Sequence, residues 1–351
     1  MVAQTLETST PKYMQMKTAV VILNYNGETL LRTLLPTVLA HSPQAEVIVA
    51  DNASTDGSLP LLQQTFPQVR LIALSKNYGF AEGYNRALAQ VDSDYFVLLN
   101  SDVEVTAHWL EPLIDYMEHH ADVAACQPKI MSYTDRTKFE YAGACGGYID
   151  ALGYPFCRGR ILATVETDNG QYDSVAALFW ASGACLLVRA DKFREVGGLD
   201  ARFFAHMEEI DLCWRLQARG TRIVCIPQST VYHIGAKTLA KEHPMKTYLN
   251  FRNNLLMIYK NMPAASKVLA ARVVLDWVAA VHLLCQGKWQ NFWAVLRAQK
   301  DFFVMRKHFS KDRQKNIQST VNQNIGGVLH GSILWQYYVC RRTVARKLQG
   351  L

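Results

Sequence analysis

At 351 residues with half of them hydrophobic, the chain is long enough for one large domain, or for one domain with an appendage, around a substantial core. Its eight cysteines include no Cys-x-x-Cys and no close cluster, which argues against a structural zinc site and a disulfide framework and fits a reducing cytosol. The net charge of +7 is unevenly spread: residues 264–351 hold 14 Lys/Arg against 3 Asp/Glu, so a mildly acidic body carries a strongly basic end suited to an anionic partner.

Residues 1–16 are polar, with Glu7 and Pro11 and no apolar core before a small-residue cleavage site, and read as a disordered lead-in. From residue 17 strand and helix patterns alternate. The run 19–24 ends in Asn24-Tyr25-Asn26-Gly27, and a helix follows over about 28–41 with Leu30, Leu31, Leu34, Leu35 and Val38 on one face and Pro36 as a blemish. A second strand, 47–50, ends in Asp51-Asn52 with Asp56-Gly57 beyond. A third, 69–74, precedes Asn77-Tyr78-Gly79-Phe80 and a helix through Gly83 and Asn85. The fourth, 95–99, ends abruptly in Asn100-Ser101-Asp102. Such repeated units predict a mostly parallel sheet with helices on both faces.

Each polar strand end has an ordinary explanation as turn or cap chemistry. Four on one edge point further, because ligands of open α/β sheets bind outside the carboxyl ends of the strands. Asp51 is placed to accept hydrogen bonds from a base or ribose. Gly79 and Gly83 would let backbone approach a ligand closely. Asp102 can hold a divalent cation that in turn holds phosphate oxygens. No Gly-x-Gly-x-x-Gly follows the first strand, which excludes the usual nicotinamide fingerprint.

The motifs VILNYNG, VADNASTDGS, NYGFAEGYN and LLNSDVEV, in this order and spacing, resemble the nucleotide-binding half of the family 2 glycosyltransferases, and within them the rhamnosyltransferase-like members. The resemblance spans roughly residues 17–260. It implies a glycosyltransferase A fold, a Rossmann-like mostly parallel sheet flanked by helices, and a nucleotide-sugar donor used with Mg²⁺ or Mn²⁺. It implies that Asn24, Asn26, Asp51, Asn52, Asp56, Asn77, Gly79, Gly83, Asn85 and Ser101 surround the donor, with Asp51 on the nucleobase and Asp56 supporting its loop. Asp102 becomes the metal-binding acid of an Asp-x-Asp motif whose first acid is here Asn100, so a further ligand is required.

The second half offers the rest of a site. Residues 106–120 read as a helix, 123–127 as a strand, and the Gly- and aromatic-rich stretch 140–175 as hairpins or a loop over the site. By the resemblance, Ser182-Gly183 lies near the donor and acceptor sugars. Glu208-Glu209-Ile210-Asp211 opens a helix that stops at Gly220. Acids in a first turn complement the helix dipole, but three within four residues exceed what capping needs. Inverting sugar transfer requires a carboxylate base for the acceptor hydroxyl. The family pattern acid-acid-x-Asp makes Glu209 that base, with Glu208 as the alternative and Asp211 as helix anchor or acceptor contact. By the same likeness His233 is the second metal ligand and Lys237 a contact for diphosphate. An Arg252-Asn253 pair lies in a closing helix.

From Pro263 the chain turns basic and aromatic. Residues 266–285 are almost wholly apolar after Lys267, broken by Arg272, Asp276 and His282, and Arg272 and Asp276 sit four apart, as ion pairs on one helix face do. The segment suits a spanning helix, a helix packed on the body, or an interfacial helix. Trp289, Phe292, Trp293, Phe302 and Phe303 interleaved with Arg297, Lys300, Arg306 and Lys307 suit an anionic membrane surface; a dimer interface is a competing use, and no nucleic-acid module accompanies the charge. The expected protein is an inverting, metal-dependent hexosyltransferase of cell-surface polysaccharide synthesis, cytoplasmic and peripheral on the inner face of the membrane, with a lipid-linked or saccharide acceptor. The expected divisions are a lead-in at 1–16, a catalytic domain at 17–262 and a helical appendage at 263–351. The alternatives are a non-catalytic sugar-nucleotide-binding scaffold and a sugar nucleotidyltransferase.

Overall fold

The computed structural model describes residues 16–235, 243–322 and 325–350. Residues 1–15 of the lead-in and Lys237 lie outside the described residues. The first half alternates as β1 (Thr18–Asn24), α1 (Glu28–His41), β2 (Glu46–Asp51), α2 (Ser58–Thr65), β3 (Arg70–Ala73), α3 (Gly79–Leu88) and β4 (Tyr95–Asn100). β1 pairs in parallel with both β2 and β4, and β2 with β3. The two faces of β1 are buried separately. Val20 and Ile22 pack in a cluster with Leu31 and Leu35 of α1, whereas Ala19 and Val21 pack in one with Ala81 and Tyr84 of α3. Alternate side chains of a strand point to opposite faces, so a strand covered twice reads as an unbroken apolar run.

Beyond β4 the chain differs from the helix expected over 106–120. Val103–Val105 forms a short strand, β5, and the helix α4 (Glu111–His119) starts only where Pro112 can occupy the first turn, its missing N–H costing no bond there. β6 (Val123–Ser132) follows and is twice as long as read. The stretch expected as hairpins contains a small second sheet: β7 (Gly147–Asp150), β8 (Pro155–Cys157), β9 (Arg160–Ile161) and β10 (Thr164–Val165). Then come β11 (Ala176–Leu178), β12 (Cys185–Arg189), α5 (Ala190–Glu195), α6 (Glu208–Ala218) and β13 (Arg222–His233). β13 outruns the 222–226 expected because an irregularity between Ile226 and Thr230 absorbs Pro227 and lets pairing with β6 resume as far as His233.

The main sheet runs β11-β13-β6-β12-β4-β1-β2-β3, with β5 on β13. β12 is antiparallel to β4 and β6, so the sheet is mixed, with its parallel half on the β1–β4 side. Helices α7 (Pro244–Asn261), α8 (Ala265–Cys285), α9 (Trp289–Met305) and α10 (Ser310–Gln318) complete the fold, and a last strand, β14 (Val328–Leu329), joins the second sheet beside β7. The chain beyond Pro263 therefore returns to the body. The amide of Ile333 donates to Asp150 (2.9 Å) and that of Ala345 to Glu166 (3.2 Å).

Candidate active site at the carboxyl edge of the main sheet

The register aligns Asn24 with Asp51 and Leu23 with Asn100, which brings three strand ends into one row. The loops leaving that row are laced together by their own side chains. Asp51 is buried. Its Oδ2 accepts from the Asn24 amide (2.9 Å) and the Ser54 hydroxyl (2.7 Å), and its Oδ1 from the Ser54 amide (2.8 Å). Asn26 accepts from the Thr55 amide (2.7 Å). Asp56 accepts from the Glu28 and Ser58 amides (2.9 and 3.0 Å), and against some burial those bonds hold its carboxyl below the ordinary range. The Asn52 amide group reaches Asn77 and the Gly79 carbonyl (3.1 and 3.0 Å). Ser101 approaches from the other side: a Cβ on Gly27 would lie 3.6 Å from its hydroxyl. Asn26, Asp56 and Asn77 stay exposed. Asp51, expected on the base, is instead spent on ordering its own loop.

Three further expectations need correction. Gly79 and Gly83 leave room for protein. At Gly79, with φ of +76°, a Cβ would sit 2.4 Å from the Phe204 ring, and at Gly83 it would meet Leu23 at 3.0 Å, so both glycines seat α3 against its neighbours. Asn85 donates to the Leu199 carbonyl (2.7 Å) and accepts from the Leu199 amide (3.0 Å), which makes it a brace between α3 and the 197–200 turn. Ser182 is buried, its hydroxyl donating to the Ala142 carbonyl (2.6 Å).

The acids at the start of α6 divide by environment. Phe204, His206 and Met207 all have positive φ, so a tight turn delivers Glu208 and Glu209 to the helix N-terminus. Asp211 is fully buried and has no oxygen to spare: Arg215 and Lys260 donate to one (both 2.8 Å) and Asn261 to the other (2.7 Å). It anchors α6 to α7 and is removed from the catalytic candidates. Glu208 is buried, and burial together with neighbouring Glu209 pushes its carboxyl well up, favouring the protonated form. Glu209 is partly exposed as a residue, yet its Oε2 is sealed and unpartnered. Burial pushes this carboxyl up to about 7 against the pull of first-turn amides. A carboxyl poised there is suited to general base work. Its Cβ lies 3.8 Å from the place a Cβ would take on Gly183, so the Ser182-Gly183 turn abuts it.

Asp102 and His233 meet where β13 passes the end of β4. His233 Nε2 is 3.0 Å from Asp102 Oδ1, and Nδ1 faces Glu140 Oε1 at 3.5 Å. All three residues are buried. Burial opposes a charged ring, but the two carboxylates outweigh it and push the imidazole up to about 10, while His233 in turn holds Asp102 below its ordinary range despite burial. Among the described residues no set of three His, Cys, Asp or Glu side chains converges as a cage for a metal. Two ligands suit the expected ions, since Mg²⁺ keeps waters and substrate phosphates around one or two protein groups. The 3.0 Å contact is a hydrogen bond between ring and carboxylate, and a cation bound there would displace the proton that the ring now shares with Asp102. Glu140 beyond the ring supplies the carboxylate that a ligating histidine characteristically leans on. The donor set thus fits a divalent cation.

Sequence reasoning passed over Glu140, Arg160 and Cys157, all inside the Gly- and aromatic-rich stretch. Arg160 is buried with its guanidinium over the Tyr141 ring (4.5 Å) and its Nε donating to the Tyr141 carbonyl (2.8 Å). The Cys157 thiol, pushed up chiefly by burial, feels both Glu140 and Glu209, which connects the two halves of the site. No spacing marks these residues, because strands of two to four residues carry too little periodicity to read.

Residues 19–165 match the family model described as Glycosyl transferase family 2. The chain is 30% identical over 254 residues to the N-acetylglucosaminyl-diphospho-decaprenol L-rhamnosyltransferase of Mycobacterium tuberculosis, covering 66% of this chain and 82% of that one. It is 26% identical over 224 residues to the rhamnosyltransferase WbbL of Escherichia coli K12, covering 61% of this chain and 82% of WbbL. The crystal structure of GalNAc-T7 with UDP, GalNAc and Mn²⁺ shares the fold at 14% identity and a TM-score of 0.56, covering 87% of this chain and 57% of that chain. The mixed, mostly parallel sheet with its C-terminal helices is the glycosyltransferase A fold expected from the four motifs.

Proposed function

This chain belongs to glycosyl transferase family 2, and from that premise we propose that it is an inverting hexosyltransferase that moves L-rhamnose, or a related hexose from a uridine diphosphate donor, onto a polyprenyl-diphosphate-linked saccharide. The observation that carries the reading is Glu209: a carboxyl with one sealed, unpartnered oxygen, tuned to about 7, at a helix N-terminus beside the Ser182-Gly183 turn. The rhamnosyl donor and the polyprenyl acceptor are supported by what the mycobacterial relative is named for.

In this reaction an acceptor hydroxyl oxygen attacks the anomeric carbon from the face opposite the diphosphate. The new C–O bond forms as the bond from carbon to phosphate oxygen breaks, so the configuration inverts. Glu209 takes the hydroxyl proton, which its ionised form can do near neutral pH. Glu208, kept in its acid form chiefly by burial, adds no second negative charge beside Glu209. The interlaced loops at 24–27, 51–56 and 77–79 give the nucleotide a preformed edge, with Asp51 ordering the middle one. Asp102 and His233 are the residues that would hold Mg²⁺ or Mn²⁺, whose chemistry when bound is neutralisation of the nucleoside diphosphate. Glu140 fixes the ring that does the holding. We place the enzyme at the inner face of the cell membrane, making an O-antigen-like or other surface glycan.

The test is direct. The purified chain is incubated with dTDP-L-rhamnose and a panel of uridine diphosphate sugars, each with N-acetylglucosaminyl-diphospho-polyprenol, and the lipid product is weighed by mass spectrometry. A mass gain of one deoxyhexose or hexose, with β-to-α inversion (or the reverse) by NMR, supports the reading. Donor binding in a thermal-shift assay without turnover on any acceptor would overturn it in favour of a binding protein.

A further inference from the structure

Helix α8 is built inside out. An amphipathic helix on a protein in water turns its apolar stripe to the core and its charges to solvent. In α8 the buried positions are Ala265, Arg272, Asp276 and Ala280. The outward stripe is Val274, Trp277, Val278, Val281 and Leu284, each between 47% and 64% exposed. Only 17% of the helix's most apolar window is buried. The inward guanidinium is partnered by the body. Arg272 donates to the Leu152 carbonyl (3.1 Å) and to the Asn254 side chain, lies 3.4 Å from Asp276, and stacks 3.7 Å from the Tyr154 ring centre. The charged pair that argues against a lipid environment in the sequence is therefore turned away from the outer face altogether.

Helix α9 continues the surface with a different character. It packs inward through Ala294, Val295, Ala298 and Phe302, and Gln299 ties it to the Val273 carbonyl of α8 (3.0 Å). Outward, Trp289, Trp293, Arg297, Lys300 and Val304 follow one another at three- and four-residue spacing, with Lys307 in the turn just beyond the helix, all exposed. An apolar stripe over 274–284 thus lies beside one in which two tryptophans are followed by basic side chains.

We infer that the α8–α9 hairpin docks on an anionic lipid bilayer, α8 lying lengthwise with its outer stripe among the acyl chains and α9 at the headgroups. Tryptophan and basic side chains belong at that boundary. Charge complementarity selects the occupant. An isologous dimer through this face would gather Arg297, Lys300 and Lys307 of both copies into one basic interface, whereas an anionic leaflet attracts them. At 21 residues α8 reaches roughly 30 Å, but spanning would strip Arg272 and Asp276 of their partners and carry them into hydrocarbon. It lies on the membrane. None of these residues belongs to the transfer site, so the docking stands or falls separately from the reaction.

The full chain is floated on a density gradient with vesicles of phosphatidylcholine alone or with phosphatidylglycerol added. Binding to the anionic vesicles and weak binding to the neutral ones is expected. Val278→Glu with Val281→Glu lowers partitioning more than tenfold, and Arg297→Gln, Lys300→Gln and Lys307→Gln together lower it on the order of 100-fold on anionic vesicles only. Both sets change exposed positions, and an unchanged or raised melting temperature verifies folding. A polarity-sensitive dye on Val278→Cys, in a chain whose exposed Cys285 and Cys340 are replaced by serine, shifts to the blue when anionic vesicles are added. Absence of flotation with both compositions overturns the inference. So does a dye already shifted before lipid is added together with a dimer in sedimentation, which would assign the face to a second copy.

Discussion

His233 Nε2 lies 3.0 Å from Asp102 Oδ1, although 131 residues separate them in the chain. The contact exists because the irregularity after Ile226 lets β13 extend past the end of β4, where His233 pairs with Val103 of β5. In the proposed reaction these two donors would hold the cation jointly with the diphosphate. His233→Ala and Asp102→Asn are each expected to abolish the Mn²⁺-dependent part of the thermal shift given by a nucleoside diphosphate and to leave any metal-independent part in place. A full metal-dependent shift in both variants would remove this pair as the site.

Glu140 gives a finer test of the same arrangement. It faces the other ring nitrogen at 3.5 Å and contributes orientation. Glu140→Gln keeps the size and loses the charge. Metal affinity is expected to fall about 10- to 100-fold, read as a rise in the Mn²⁺ concentration giving half the thermal shift, with the maximal shift retained. This separates an orienting residue from a ligand, whose loss removes the shift at every concentration.

The β1–β4 half was legible because its signals are local: apolar runs of strand length ending in Asn or Asp, with helices of fitting period between them. Glu28–His41 was legible as a helix despite Pro36. The acid positions at 208–211 were legible as a cluster, with Glu209 expected as base and Asp211 as helix anchor or acceptor contact, but the separation of a fully paired Asp211 from its neighbours was not. That separation depends on Lys260 and Asn261, half a hundred residues away, reaching Asp211. Gly79, Gly83 and Asn85 misled for a related reason. Glycine tells that something comes close, and only the tertiary fold tells that the something is Phe204 or Leu23. In α8 the sequence showed the charged pair and the apolar stripe but not which of them faces the body.

Removing Asp211 should damage the fold. Asp211→Ala would leave Arg215 and Lys260 buried beside an absent anion, and Lys260 would keep only Asp200 (2.7 Å). Breaking a buried pair in this way costs about 3–5 kcal/mol. Chemical denaturation should show that loss, with Asp211→Asn intermediate. The soluble fraction should retain its donor affinity, since no oxygen of Asp211 is open to a ligand.

The pH profile belongs to Glu209. Its carboxyl titrates near 7 when folded, above its ordinary 4.5, so the base form grows as pH rises through that value. The transfer rate at low donor concentration should climb about tenfold per unit below 7 and flatten above it. Stability has the opposite sign. A carboxyl whose pKa is raised by folding holds its proton more tightly in the native state. The advantage is full below about 4.5, is lost as pH rises towards 7, and changes no further beyond. Glu209→Gln should therefore keep donor binding, slow transfer by on the order of 10²- to 10⁴-fold, and raise the melting temperature at pH 8 more than at pH 5. Undiminished transfer would move the base elsewhere.

Gly79 connects the nucleotide edge to that base through the fold. Its φ is +76°, and the Phe204 ring lies 2.4 Å from where a Cβ would stand, so the close fit seats the turn that precedes Glu208 and Glu209. The Phe204 carbonyl accepts from the Phe80 amide (2.7 Å), so the turn hangs on the start of α3. Gly79→Ala meets two obstacles, the left-handed backbone at about 1–2 kcal/mol and the ring. Phe204 is 47% exposed and can swing outward, so the steric part should be relieved in Gly79→Ala combined with Phe204→Ala while the backbone part persists. Denaturation of the single and double variants measures the split, and partial recovery is expected. Transfer should fall further than donor affinity in Gly79→Ala, because the displaced turn carries Glu209, the proposed base, whereas the nucleotide loops are joined to Gly79 through the Asn52–Asn77–Gly79 hydrogen bonds. Equal losses of both would mean that Gly79 itself meets the nucleotide.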